Sequence, residues 1–324
     1  MRVVFDRISE SAWQNILPPD ASALQQSWRY GEAVKATGRR VHRVEISTMY
    51  QRVAIAQVLV RSLGSFGQVA LVSRGPIWTS GTSKSIRLCA VNQLRRSLPG
   101  KGVRLLLSTP EEETGAVLPL VTGCHLAEIP LLREEEAMRQ TLHGKWRNRL
   151  AKAENAGLQV RISSRAKDLD WLLHHENAQQ KTKRYRNLPA PFLRAWGALG
   201  ADGYRIFIAQ SGGVPVAAML FLLHAPGVTY QIGWTSGAGR IASAHHLLLW
   251  RAIQTFSKSG LQRLDLGAVD TVTKPGLARF KLGTGANLRK LGATGPVLPL
   301  PFWTMGRGGE GPNSREKFLK MESN

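Results

Sequence analysis

Cysteine is nearly missing from this 324-residue chain: it has two, Cys89 and Cys124, without a Cys-x-x-Cys spacing. Two such residues frame neither a disulfide-held fold nor a zinc cluster. Acidic residues are scarce as well, 22 Asp+Glu against 44 Lys+Arg, for a net charge of +22. That imbalance points to a polyanionic partner, whether nucleic acid, an anionic membrane face or a phosphorylated substrate. Long apolar runs are absent. The longest, VPVAAMLFLLHAPGV, is broken by His224 and Pro226, short of the roughly 20 residues a membrane helix needs. The opening MRVVFDRISESAW does not read as a signal peptide, so a cytoplasmic location is expected.

Several catalytic signatures are missing too. There is no Gly-x-Ser-x-Gly elbow, no His-Glu-x-x-His and no P-loop, and GTGANLRKLG departs from Gly-x-Gly-x-x-Gly at Leu288. Nucleotide and dinucleotide cofactors are therefore not expected. The pairs His174-His175 and His245-His246 are adjacent, so each pair projects to different helix faces and cannot grip one metal. We read them as structural and expect no metal.

What is present is an ordinary folded composition, 43% hydrophobic and 20% charged, at a length that suits two domains. The order of elements occurs twice. Strands at 41–47, 53–62 and 68–78, a helix at 83–98 and a strand at 103–109 make the first copy. Strands at 204–210, 214–224 and 228–236, a helix at 244–259 capped by Ser243, and a strand at 261–267 make the second. This is an α/β (α+β) fold of two mostly antiparallel sheets, each closing through a helix. The expected division is 1–155, 156–303 and a loose tail over 304–324, whose Gly-rich polar sequence lacks packing residues.

Between the copies, residues 133–157 read as one helix with the apolar stripe Met138, Leu142, Trp146 and Leu150. Its cations Lys145, Arg147, Arg149 and Lys152 suit tracking a phosphate backbone or simple solvation. Three further segments draw attention. SGAGRIAS (236–243), with Arg240, is a Gly-rich turn entering a helix, a place where free backbone amides receive an anion. Residues 175–192 read as a basic loop carrying Arg184 and Tyr185. KPGLARFKLGTG (274–285) reads as a glycine-kinked stretch presenting Phe280 and Lys281 together, and residues 271–309 hold no acid.

These pieces in this order resemble the FemABX-type aminoacyltransferases and their FemAB-like relatives in the GNAT superfamily. The matching stretches are QSWRYGEAVKATG, SRGPIW, GKWRNRLAKAENAGLQV, VTYQIGWTS, LLLWRAIQTFSKSGLQRLDLGAV and PGLARFKLGTG. The resemblance implies twin GNAT domains that move an amino acid from aminoacyl-tRNA to an amine on a peptidoglycan precursor, without a metal. It implies Phe280 and Lys281 in catalysis, and Lys35, Arg184, Tyr185 and Tyr230 at the substrate. The helical hairpin that some members insert in the second domain is absent from this sequence.

Three readings follow. The first is aminoacyl-tRNA-dependent transfer to an amine acceptor, such as a phosphorylated cell-wall precursor, with Lys281 steadying the oxyanion. The second is transfer from acyl-CoA or an acyl carrier on the same fold, resting on the Arg240 turn. The third is a non-enzymatic binder of nucleic acid or an anionic membrane surface.

Overall fold

Val- and Ile-rich alternation builds two sheets here, since each strand's inward residues must be covered by another layer. The computed structural model of the chain describes residues 1–17, 23–112, 117–131 and 134–299. Its first strands are β1 (Arg2–Phe5), β2 (Arg40–Ser47), β3 (Arg52–Ser62), β4 (Gly67–Ser73), β5 (Ile77–Trp78), β6 (Val103–Thr109) and β7 (His125–Pro130). Then come β8 (Gln159–Ser163), β9 (Tyr204–Ser211), β10 (Val214–His224), β11 (Gly227–Thr235), β12 (Arg263–Val269), β13 (Asn287–Lys290) and β14 (Gly295–Pro296). The helices are α1 (Glu10–Ile16), α2 (Trp28–Ala36), α3 (Lys84–Ser97), α4 (Glu135–Thr141) and α5 (Gly144–Glu154). Five more follow: α6 (Ala166–Lys183), α7 (Ala190–Ala198), α8 (Gly237–Ile241), α9 (Ala244–Lys258) and α10 (Pro275–Leu282).

One sheet runs β1-β2-β3-β4-β6-β14 with β5 on β3, and the other runs β13-β7-β12-β11-β10-β9-β8. Both hold the same motif. An antiparallel meander (β2-β3-β4, β9-β10-β11) is followed by a helix and a strand parallel to the meander's last member. The helices α3 and α9 supply the crossover that a parallel pair requires. The duplicated order seen in the sequence is this motif.

The structure redraws several expected elements. The strand at 68–78 is two strands, β4 and β5, parted where Arg74 takes φ +56. The helix at 133–157 is α4 and α5, separated where Leu142 and His143 are extended and the His143 amide donates to Gly283 O at 2.9 Å. Its stripe still holds: Met138, Leu142, Trp146 and Leu150 are all buried. The basic loop at 175–192 begins inside α6, so Lys181 and Lys183 sit on its last turn. The stretch at 274–285 is mostly α10, with Pro275 in the first helical turn, where its missing amide is not needed. The tail expected over 304–324 lies outside the described residues.

The sheets do not divide at residue 155. Strand β7 inserts between β12 and β13 in the second sheet, while β14 crosses back to pair with β6 in the first. Ala127, Ile129 and Leu131 pack in one core with α4, α5 and α9, which draws this segment to the second half. The halves also share a core. Tyr30, Ala33 and Val34 of α2 pack with Phe192, Leu193 and Trp196 of α7 and with Ile206 and Ile208 of β9. Arg29 of α2 adds an ion pair to Asp202 at 2.8 Å and a bond to Gly200 O at 3.0 Å. Among the described residues no helix is long and apolar enough to cross a membrane.

Trp196 is fully buried in the shared core and its indole donates to Gly203 O at 2.7 Å. Trp196→Ala should cost about 3–5 kcal/mol and lower a single thermal transition measured by calorimetry. Separate melting of the two halves would contradict a shared core.

Candidate active site

Backbone geometry decides how α10 meets the space between the halves. Gly283 follows the helix, and a Cβ there would lie 2.7 Å from Trp146 Cδ1, so glycine lets the indole dock against the helix end. The docked Trp146 donates from Nε1 to Phe280 O at 3.0 Å. Successive helical residues project about 100° apart, so Phe280 and Lys281 do not lie side by side. Phe280 packs edge-on to His246 at 5.1 Å and against Trp146 at 6.2 Å. Lys281 is 6% exposed, and its Nζ donates to Ala268 O at 2.8 Å.

That carbonyl is presented by an irregularity in β12. The ladder with β7 shifts register between Asp265 and Ala268, and Gly267 at φ +77 takes a conformation that side-chained residues rarely adopt. Burial lowers the Lys281 pKa to about 8; Asp265 opposes the shift and Lys274 adds to it. The ammonium is therefore largely charged at neutral pH, held inside a wall where charge is expensive.

Lys281, Phe280, Tyr185, Tyr230, Arg240 and Arg149 all line one cleft of about 1250 Å³, which Ser73, Arg74 and Thr109 of the first half complete. Lys35 lies outside it, on α2, paired with Glu32 at 3.1 Å. Arg184 is the left-handed C-cap of α6 and does not line the cleft. Lys145, Arg147 and Lys152 are exposed on α5, and of that cationic set Arg149 alone is in the lining. Lys183, Arg186 and Lys274 add further positive charge to it.

Residues without a sequence signal complete the walls. Glu176 is buried in α6 and accepts from Tyr185 Oη at 2.7 Å, Asn187 at 3.1 Å, Gln179 at 3.2 Å and Gln180 at 3.1 Å. A carboxylate so fully bonded fixes the Tyr185 hydroxyl in place. Burial and that bond raise the Tyr185 pKa, and burial raises that of Tyr230, so both stay phenols. His246 has its pKa lowered to about 4, first by burial and then by Arg149, and its Nδ1 has no hydrogen-bond partner among the described residues.

Three arginines meet three carboxylates around Arg74 and Asp265, which line the cleft. Arg74 contacts Asp265 and Glu111, each at 2.6 Å. Glu128 is 2.6 Å from Arg289 and 3.5 Å from Arg263, and Arg289 also pairs with Glu111. Burial, with help from Asp265, raises the Glu128 pKa against the pull of Arg263 and Arg74. Arg74 and Glu176 stand in stretches quoted above, but a lone Arg or Glu carries no pattern that marks such partners.

The Arg240 turn differs from the expected anion loop. It forms α8, and several of its amides are bonded within the turn. Gly239 N donates to Ser236 Oγ at 3.2 Å, Arg240 N to Ser236 O at 3.1 Å and Ser243 N to Arg240 O at 3.1 Å. Ser243 precedes α9 at φ +56 and makes no side-chain cap bond, contrary to the capping expected. Among the described residues no three His, Cys, Asp or Glu side chains gather as a metal site.

Residues 139–282 match the family described as acetyltransferase (GNAT) domain. No curated protein matches the chain. Among solved structures, FemX superposes with TM-score 0.75 at 12% identity, covering 93% of this chain and 99% of its own. The C-terminal domain (DUF2156) of a putative lysylphosphatidylglycerol synthetase from Agrobacterium fabrum gives TM-score 0.52 at 12% identity, covering 87% and 91%. A tandem GNAT protein from the clavulanic acid biosynthesis pathway gives 0.51 at 11%, covering 93% and 100%.

The lowered pKa of Lys281 has a stability consequence whose sign is fixed. Below pH 8 the folded protein holds a buried charge, and between about 8 and the ordinary 10.5 the unfolded chain binds a proton that the native lysine has lost. Lys281→Met should therefore melt a few degrees above the unaltered protein at pH 7. The gap should narrow as pH rises toward 10.5. Scanning fluorimetry across that range checks it, and a variant that melts lower at pH 7 would contradict the buried charge.

Proposed function

From a chain with the FemABX-type arrangement of two GNAT folds, we propose an acyltransferase that moves an aminoacyl group from aminoacyl-tRNA to an amine acceptor. The observation that carries this reading is Lys281, a buried ammonium in the wall of a cleft between the halves. As the acceptor nitrogen attacks the ester carbonyl, the C=O oxygen becomes an oxyanion. A fixed ammonium in a partly dry site favours that anion over the neutral ester. Collapse re-forms the carbonyl and breaks the bond to the ribose oxygen, which takes the proton the amine gives up. Lys281 keeps its own protons throughout. Phe280 walls the site and holds water back, while the rest of the acceleration comes from fixing two substrates together.

Several features support tRNA over CoA as the carrier. Four amides of the Arg240 turn, those of Gly239, Arg240, Ala242 and Ser243, are bonded within the turn and are not offered to a pyrophosphate. The cleft is ringed by Arg149, Lys183, Arg186, Arg240 and Lys274, and the whole chain carries +22. Such charge suits a large polyanion and a phosphorylated acceptor, and predicts steeply salt-dependent binding. Exposed Lys145, Arg147 and Lys152 extend Arg149 along α5 as a track for the tRNA backbone. The acceptor we favour is a cell-wall precursor amine, with Tyr185 and Tyr230 as the neutral wall beside it. In this reading Lys35 and Arg184 are peripheral to substrate.

The match to an acetyltransferase family favours acyl-CoA as the second donor, so both donors belong in one assay. Purified protein is offered labelled aminoacyl-tRNA or labelled acyl-CoA with amine acceptors. Label should leave tRNA, and Lys281→Ala should slow transfer about 10²–10³-fold, the loss typical of one oxyanion donor. Because protonated Lys281 is the working form, the rate should fall as pH rises through about 8. Label leaving CoA alone would overturn the tRNA reading. Transfer that ignores Lys281→Ala would overturn its role.

A further inference from the structure

The residue that holds Lys281 in place is itself held from the other half of the molecule. Lys281 Nζ is bonded to Ala268 O, and that carbonyl belongs to the irregular turn of β12 that Asp265 closes by accepting from Gly267 N at 2.6 Å. The second carboxylate oxygen of Asp265 takes Arg74 Nη1 at 2.6 Å. Arg74 comes from the first half, where the chain leaves β4 at φ +56, and its Nε is fixed by Glu111 at 2.6 Å. Arg74 and Asp265 are both nearly inaccessible to solvent, at 6% and 4% exposed. A hydrogen-bonded path therefore runs from Arg74 through Asp265 and the β12 turn to the ammonium.

We infer that Arg74 and Asp265 are positioning residues for transfer, a pair spanning the two halves that sets where the Lys281 ammonium stands in the cleft. This rests on the oxyanion role proposed for Lys281. The pair has a reason to be ionic. Asp265 is the acid acting on Lys281 and Lys274 the cation acting on it, so an unpartnered Asp265 would draw the ammonium off the cleft and onto itself. Arg74 satisfies one carboxylate oxygen and the Gly267 amide the other, leaving Ala268 O as the ammonium's hydrogen-bond partner. The halves must be docked for this to exist, which ties the reactive group to the assembled molecule.

The test titrates Lys281 directly in the full-length protein. Lysine side chains are isotope-labelled, the Lys281 signal is assigned by its loss in Lys281→Met, and its midpoint is followed by NMR. In Asp265→Asn, which keeps an acceptor for the Gly267 amide but loses the charge, the midpoint should fall below that of the unaltered protein. In Arg74→Gln, which releases Asp265, it should rise. Mere loosening would expose the lysine and raise both, so the fall in Asp265→Asn is diagnostic. Transfer assays should show kcat reduced by up to about 100-fold in both variants with KM little changed, as for a misplaced group. Should Asp265→Asn not fold by near-UV circular dichroism, Asp265→Ser is read in its place, with the same fall expected. A midpoint that stays or rises in the folded Asp265 variant overturns the inference. A fall with no transfer from any donor supports the coupling and sinks the transferase reading instead.

Discussion

One ammonium kept charged inside a protein wall is the constraint on which the rest of this structure depends. Burial pushes Lys281 toward neutrality, and a lysine left there alone would shed its proton or swing to water. What keeps it is a carbonyl turned inward by a left-handed glycine and an acid near enough to favour the charge. That acid would be a liability by itself, so it is balanced by an arginine from the opposite half. Three arginines against three carboxylates around that pair extend the same compensation. Such networks are poor sources of net stability but strong selectors of one geometry.

Duplication explains where the site lies. Each half repeats a meander, a helix and a parallel strand, and neither half closes without the other. Strand β14 returns to the first sheet, β7 enters the second, and α2 is packed into the second half's core. A seam made this way gathers side chains from distant parts of the chain around one volume. Ser73 and Thr109 at strand ends of the first half line the same cleft as Phe280 and Lys281 of α10. The proposed transfer would use such a place, since holding two substrates in register lowers the barrier.

The two halves are unequal in chemistry despite their shared plan. The second supplies Lys281, Phe280, both tyrosines and nearly all the cations of the lining, whereas the first contributes a wall and Arg74. The Gly-rich turn at 236–243 shows the same specialisation. Its amides at Gly239, Arg240, Ala242 and Ser243 are bonded within the turn. A composition that reads as an anion cradle has become a short helix, and the positive charge sits on side chains around the rim instead.

Much of the fold was legible in local pattern. Apolar runs rich in Val, Ile and Leu gave β2, β3, β6, β9 and β10 within a residue or so, since a strand covered on both faces, as β3 and β10 are, writes its burial into the local run. The four-residue stripe from Met138 to Leu150 was legible for the same reason, and survives even though the helix breaks at Leu142 and His143 to let the chain meet Gly283. The resemblance in PGLARFKLGTG singled out Lys281 and Phe280, which both line the cleft. Local pattern did not reveal α10 as a helix, the strand exchange, the bonding that saturates Glu176, or the reach of Arg74 to Asp265 191 residues away. Periodicity records what each residue needs from its own neighbourhood, so it determined the elements. Which charges meet, and which one is left facing the cleft, depends on contacts between distant segments, and only the packed halves decide that.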